Sequence, residues 1–157
     1  ANTTVDVLAD GWVAQGLLAD GTGQITLPLA ATKVTAGLPY TSQYRSLNIE
    51  APTGDGSSKG KKKRIYHIDL GLYNSLGGEY GIAAVSTPTN EVSTDYIIPT
   101  RIFNVSQFNN APTLKSGVFP LTMPPGNHSE VDLVITQSQP LPMTITHTFP
   151  VVNTKGD

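Results

Sequence analysis

The stretch that decides the fold runs Lys59-Gly-Lys-Lys-Lys-Arg-Ile-Tyr-His-Ile-Asp-Leu-Gly-Leu-Tyr-Asn-Ser-Leu-Gly-Gly-Glu-Tyr-Gly81. It begins with a basic run, continues as the longest alternating segment of the chain and ends in a glycine-rich turn. In an extended chain, alternate side chains point to opposite faces. One face carries Tyr66, Ile68, Leu70 and Leu72, and the other carries His67, Asp69, Gly71 and Tyr73. The pattern predicts a central hairpin, with residues 74–78 as its turn and residues 80–85 as the returning strand.

The rest of the chain has the same period of two. Twelve prolines and fifteen glycines leave no room for a long helix, and no window has the apolar spacing of one. Ile25, Leu27 and Leu29 predict a strand that lies at an edge or ends at Pro28, because proline cannot donate to a ladder. Residues 131–136 and 143–149 predict a final hairpin joined by a proline-containing turn. We therefore expect one all-β domain over residues 1–157, an antiparallel β-sandwich or partly open barrel with little or no helix.

Composition narrows the class of protein without naming a function. Charged residues make up 14% of the chain, against about 25% in an average soluble domain. Such a surface, rich in hydroxyl groups and turns, is common in β-rich extracellular and virion proteins. There is no cysteine, so a disulfide framework and thiolate metal sites are excluded. No apolar run is long enough for a membrane anchor. The start at Ala1, without Met or a signal pattern, suggests a module of a longer protein.

The basic run is the sharpest local feature of the sequence. Half of the ten Lys and Arg residues lie in it, and they are Lys59, Lys61, Lys62, Lys63 and Arg64. A solvated loop that leads into a strand is one interpretation, because lysines also discourage edge-to-edge pairing. A contact with phosphate groups or with another subunit is the other. No aromatic stacking platform is interleaved with the run, which favours a surface or interface role over nucleic-acid binding.

No catalytic or cofactor chemistry is predicted. The three histidines belong to different elements, and His67 with Asp69 gives only two metal ligands on one strand face. No serine lies in a nucleophile elbow, and a thiol nucleophile is absent. Glu130 and Asp132 share a strand face, as acidic residues on the solvent side of a sheet commonly do. We expect a protein that is not an enzyme and uses no metal or cofactor.

Five segments, in order along the chain, resemble one family. They are residues 5–11 (Val-Asp-Val-Leu-Ala-Asp-Gly), 23–28 (Gly-Gln-Ile-Thr-Leu-Pro), 34–42 (Val-Thr-Ala-Gly-Leu-Pro-Tyr-Thr-Ser), 61–65 with 72–77, and 137–142 (Gln-Ser-Gln-Pro-Leu-Pro). Together they resemble the C-terminal region of the tail nozzle, or tail tubular, proteins of short-tailed bacteriophages. The family is often more basic along the strand that here contains Asp69 and Gly71, so the resemblance does not extend to a DNA-facing role for that strand.

The resemblance implies a structural virion protein of the phage tail. Such nozzles are homo-oligomeric rings, usually of six subunits, that form part of the conduit for DNA ejection. The implied partners are neighbouring copies in the ring and other tail proteins, with a transient contact to phage DNA through Lys59 to Arg64. The module would act by packing of subunit against subunit.

A second hypothesis is a β module that binds carbohydrate or a host surface. Trp12 and the six tyrosines could supply stacking surfaces for sugar rings. The competing interpretation, which we favour from sequence, is that these aromatic residues are core and turn residues. Binding of a glycan would separate the two.

Overall fold

A computed structural model describes residues 3–50, 52–53, 56–84, 92–100, 111–123 and 125–154. Its twelve strands are β1 (Thr3–Ala9), β2 (Trp12–Ala19), β3 (Val34–Gly37), β4 (Ser42–Arg45), β5 (Pro52–Thr53), β6 (Gly56–Ser57), β7 (Lys63–Ser75), β8 (Glu79–Ala84), β9 (Val92–Ile97), β10 (Lys115–Thr122), β11 (Val131–Gln137) and β12 (Ile145–Thr154). The described residues contain no helix, and therefore none that could cross a membrane. The all-β prediction is confirmed.

Two antiparallel sheets face each other and enclose the core. One has the order β10-β7-β12 and the other β4-β11-β8-β9. Ile68 and Leu70 of β7 pack in one cluster with Leu121 of β10 and with Leu133 and Ile135 of β11. A sheet must bury its apolar face against another layer, and here each sheet serves as the other's layer. The fold is thus a β-sandwich with β7 at its centre.

Both predicted hairpins are wrong in the same way. Strand β7 pairs with β10 and β12, and β8 pairs with β11 and β9, so β7 and β8 lie in different sheets. The same holds for β11 and β12. Residues 76–78 and 138–144 therefore cross from one sheet to the other as arches. Each arch joins two strands whose apolar faces pack against each other across the core. An alternating sequence pattern alone does not distinguish an arch from a hairpin.

The two arches are held together by hydrogen bonds to main-chain carbonyls. Leu76 N–H donates to Pro142 O at 3.0 Å, and the Gln137 Nε2 amide donates to Leu76 O at 3.0 Å. Gly78 has a φ of +95°, and a Cβ there would collide with Met143 and lie 3.1 Å from Ile98. Glycine is therefore required at position 78, both by the backbone conformation and by the close packing around it.

Bulges reverse the face assignments at two places. Along the β7–β12 ladder the register shifts between Val151 and Val152, where Tyr66 has no direct partner. Ile65 and Ile68 are both buried as a result, whereas Tyr66, predicted to face the core, is exposed. A second shift between Ile145 and His147 turns His147 outward although Ile145 faces the core. An extra residue in one strand moves every side chain that follows it to the opposite face of the sheet.

A third sheet, with the order β2-β1-β3, is formed by the N-terminal part of the chain. The turn between β1 and β2 has Asp10 and Gly11 at positive φ, as its sequence predicts. The predicted strand over Ile25, Leu27 and Leu29 is wrong. Residues 24–27 have no assigned secondary structure and residues 28–29 form a bend, and the segment is largely exposed without ladder partners in the described structure.

Candidate functional site

The basic run does not form one surface patch. Lys59 and Lys62 are exposed, Lys61 and Arg64 are half-buried, and the Lys63 side chain is 0% exposed. The Lys63 ammonium donates to Ile49 O at 3.0 Å and to Glu50 Oε1 at 3.1 Å. Arg64 lies over the Tyr66 ring at 4.8 Å from its centroid. Lys63 therefore does not belong to the predicted interface or phosphate contact, because its ammonium is buried and is hydrogen-bonded within the chain.

Glu50 organises the loop that precedes β7. Its carboxylate accepts hydrogen bonds from Lys63 Nζ, Asn48 Nδ2, Ser57 Oγ and Ser58 Oγ. The bond from Lys63 is the main cause that lowers the pKa of the Glu50 carboxyl, with smaller contributions from the serines. These contacts fold residues 56–63 back against residues 48–50. The arrangement is structural, and it explains why a lysine stands at the buried start of β7.

The outward face of the β10-β7-β12 sheet is open and mixed in character. Three rows cross it, each with one residue from β12, β7 and β10, and they are His147–Gly71–Val118, Phe149–Asp69–Pro120 and Val151–His67–Thr122. The His147 ring lies directly over Gly71 and 4.9 Å from the Phe149 ring centroid. Phe149 is 62% exposed, and Val118 and Val151 are also exposed. His67 and Asp69 share this face, as predicted.

The opposite sheet is different, because its strand β11 is buried on both faces. Ile135 points into the core, and Val134, one residue away, is also fully buried. Asp132 on the outward side pairs with Arg45 at 2.7 Å. Of the two sheets of the sandwich, the β10-β7-β12 sheet is therefore the one whose outward face is available for contact with another molecule.

Strand β4 is an open edge of the sandwich. In the described part of the chain it pairs with β11 alone, in a regular register with Tyr44 opposite Ile135 and Ser42 opposite Gln137. Ser46 N–H donates to Leu133 O at 2.9 Å in continuation of the ladder. Because hydrogen-bonding direction alternates along an antiparallel strand, the backbone groups of Gln43 point away from β11. They are free to pair with a further strand.

A cleft of about 340 Å³ lies beside this edge. Tyr40, Ser42 and Tyr44 line one side, and Leu141, Met143 and Ile145 line the other. None of its lining residues is charged. Tyr40 is 74% exposed, and Tyr44 is exposed as well.

The interpretation of the aromatic residues as core and turn residues is wrong for most of the tyrosines. All six lie in the described residues, and five are exposed. Tyr80 alone is in the core, where its hydroxyl donates to Thr122 O at 2.9 Å. Trp12 is half-buried. Sequence alone does not predict the cleft, because the cleft is lined by residues of β4, β11 and β12 and of the segment between the last two strands.

Three of the five segments that carry the family resemblance meet near the arches. Residues 72–77 and 137–142 include parts of the two arches, and residues 34–42 include Tyr40 and Ser42 of the cleft lining. Residues 5–11 are linked indirectly, since Asp6 accepts from Gly16 N–H at 2.9 Å and Gln15 Nε2 donates to Ser138 O at 2.8 Å. In the described residues, no three of the histidine, aspartate and glutamate side chains come together as a metal site.

Comparison with known proteins adds no relative. No family model matches the chain, and no curated protein matches it.

Proposed function

We propose that this chain is a structural module of a phage tail nozzle ring, part of the conduit for DNA ejection, and that it works by packing against neighbouring subunits. The observation that carries the proposal is the open outward face of the β10-β7-β12 sheet, with Phe149, Val118 and Val151 exposed together. Apolar groups gathered on one face are characteristic of protein contact surfaces. The ordered resemblance of five segments supports the phage-tail assignment.

Ring formation requires a head-to-tail contact between two different surfaces of each copy. The sandwich offers two such surfaces, the outward sheet face and the β4 edge. Lys59 and Lys62 remain exposed for contact with other tail proteins or with DNA. Within the basic run, DNA contact would rest on these two lysines, because Lys63 is buried and Arg64 stacks on Tyr66.

The experiment is electron microscopy of virions labelled with an antibody raised against this module. The proposal expects label on the tail, at a position between the head and the distal end. Label at the fibres only, or absence of the module from purified virions, would remove the assignment. Binding of Lys59→Ala/Lys62→Ala protein to DNA at low salt, compared with the unchanged chain, tests the DNA contact separately, since phosphate binding depends steeply on salt.

A second candidate function is binding of carbohydrate on a host surface. The cleft favours it, because Tyr40 and Tyr44 present aromatic surface beside the polar groups of Ser42 and Gln43. A glycan array with the chain and with its Tyr40→Ala variant tests this function. A hit that the variant loses would support sugar binding, and an array without signal would end it.

A further inference from the structure

We propose that residues 25–31 of one copy dock on the β4 edge and its cleft in a second copy. This proposal rests on the proposed function, since it names a contact by which copies pack head to tail. The two surfaces are different parts of the chain, so the contact is heterologous and can continue from copy to copy. The supporting observations are a strand-like segment that lacks a sheet and a sheet edge that lacks a strand.

The donor segment has the sequence of a strand. Ile25, Leu27 and Leu29 alternate with Gln24, Thr26 and Pro28, yet the segment pairs with no strand in the described structure. Leu29 is 63% exposed. Both ends are fixed, because the Asp20 carboxylate accepts from Gln24 N–H at 2.8 Å and the Asp10 carboxylate accepts from Thr32 N–H at 2.7 Å. The segment is therefore an uncharged loop that is anchored at both ends and whose apolar side chains are only partly buried.

The acceptor edge lacks the protection that the other edges of the sandwich have. Strand β12 has two register shifts and contains Pro150, β10 has a shift and contains Pro120, and the register of β9 is irregular. Prolines and bulges block edge-to-edge pairing. Strand β4 has a regular register and no proline, and its one charge, Arg45, is paired with Asp132.

The two surfaces match in chemistry. Neither the cleft lining nor residues 25–31 includes a charge, so no ionised group is desolvated by the contact. An antiparallel arrangement with Thr26 opposite Gln43 pairs their backbone groups. It also puts Leu27 opposite Ser42, at the cleft. Pro28, which has no N–H, then falls opposite Thr41, just outside β4.

Disulfide trapping tests this register, because the chain has no cysteine of its own. Leu27→Cys protein is mixed with Ser42→Cys protein under mild oxidation. These positions would form a pair whose backbone groups point away from each other, where Cβ atoms lie close enough for a disulfide. We expect a mixed disulfide dimer several-fold more abundant than in the control mixture of Leu27→Cys with Leu47→Cys, since Leu47 is 91% exposed and lies outside the cleft.

Introducing Gln43→Pro into the Ser42→Cys chain should abolish the trapped dimer while the fold is kept, because the Gln43 N–H takes no part in the β4–β11 ladder. Dimers of Ser42→Cys alone would show that β4 pairs with β4 and would overturn the proposal. Equal trapping in the Leu47→Cys control, or none in the test mixture, would overturn it also. If trapping succeeds and virions lack the module, the docking stands and the phage-tail function fails. If virions contain the module and trapping fails, the reverse holds.

Discussion

The Lys63 ammonium lies 3.1 Å from Glu50 Oε1, and the lysine side chain is fully buried although it belongs to the most basic segment of the chain. The pair joins the first residue of β7 to the segment that follows β4. The Lys63 ammonium also donates a hydrogen bond to Ile49 O. One lysine of a run of three therefore has a structural role that its neighbours do not share.

Replacement of Lys63 by Met should destabilise the domain by about 1–3 kcal/mol. The change removes the ammonium that donates to Ile49 O and one of the four donors to the Glu50 carboxylate. The exposure of Glu50 keeps the loss below that of a fully buried pair. Lys62→Met is the matched control, since Lys62 is exposed, and should change the stability by less than about 0.5 kcal/mol. Urea unfolding measures both. Equal effects of the two substitutions would contradict the role given to Lys63.

Acid should weaken the fold through three carboxylates. Hydrogen bonds lower the pKa of Glu50, chiefly from Lys63, that of Asp10, chiefly from Thr32 N–H, and that of Asp20, chiefly from the Thr22 side chain. A folded-state pKa below the unfolded value gives stability that is present above the unfolded pKa and is lost as the pH falls through the folded one. The ordinary values are 4.5 for Glu50 and 3.8 for the aspartates, so the loss should begin below about pH 4.5.

The urea midpoint followed from pH 7 to pH 3 measures this loss. The variant Glu50→Gln should be less stable at pH 7 and show a shallower decline, because one of the titrating groups is removed. A decline as steep as that of the unchanged chain would show that Glu50 contributes nothing to it.

Gly78 should tolerate alanine worse than Gly23 does. Both have positive φ, +95° and +83°, so each alanine meets the same kind of backbone strain. A Cβ at Gly78 also collides with Met143, whereas nothing lies within 4 Å of one at Gly23. We expect Gly78→Ala to cost about 1–3 kcal/mol more than Gly23→Ala, the usual range for overpacking a core. Thermal and urea unfolding of the two variants compare them directly, and similar losses would argue against the tight arch.

The outward sheet face should matter for assembly and little for folding. The double change Val118→Asp with Phe149→Asp puts two charges on the open face, where both side chains are exposed. We expect the protein that carries it to assemble at least several-fold less, with its unfolding midpoint nearly unchanged. Leu18→Asp, an exposed position on β2 of the N-terminal sheet, is the control and should assemble normally.

The sequence was informative about element type and much less so about pairing. Ile68, Leu70 and Leu72 alternate and are buried as predicted, because burial on one face imposes a period of two. Whether residues 76–78 form a hairpin turn or an arch depends on which strand lies beside β7, and that partner, β12, is some seventy residues away. Local pattern does not contain this information.

The candidate site shows the same limit. Lys59 to Arg64 stand out in the sequence, but the fold separates them, since a strand start at Lys63 turns that side chain inward. Tyr40 lies in one of the five segments of the family resemblance and Tyr44 lies in none, and nothing in the alternation predicts that both border a cleft. The bulge at Tyr66 likewise has no signal in the alternation that it interrupts.

The most direct test of the central claim is the native mass of the protein, measured over a range of concentrations. Head-to-tail packing in a nozzle predicts a closed ring, of six copies by the family resemblance, that loses subunits when the outward face carries Val118→Asp with Phe149→Asp. A protein that stays monomeric at every concentration, or a ring that the two substitutions leave intact, would contradict the account.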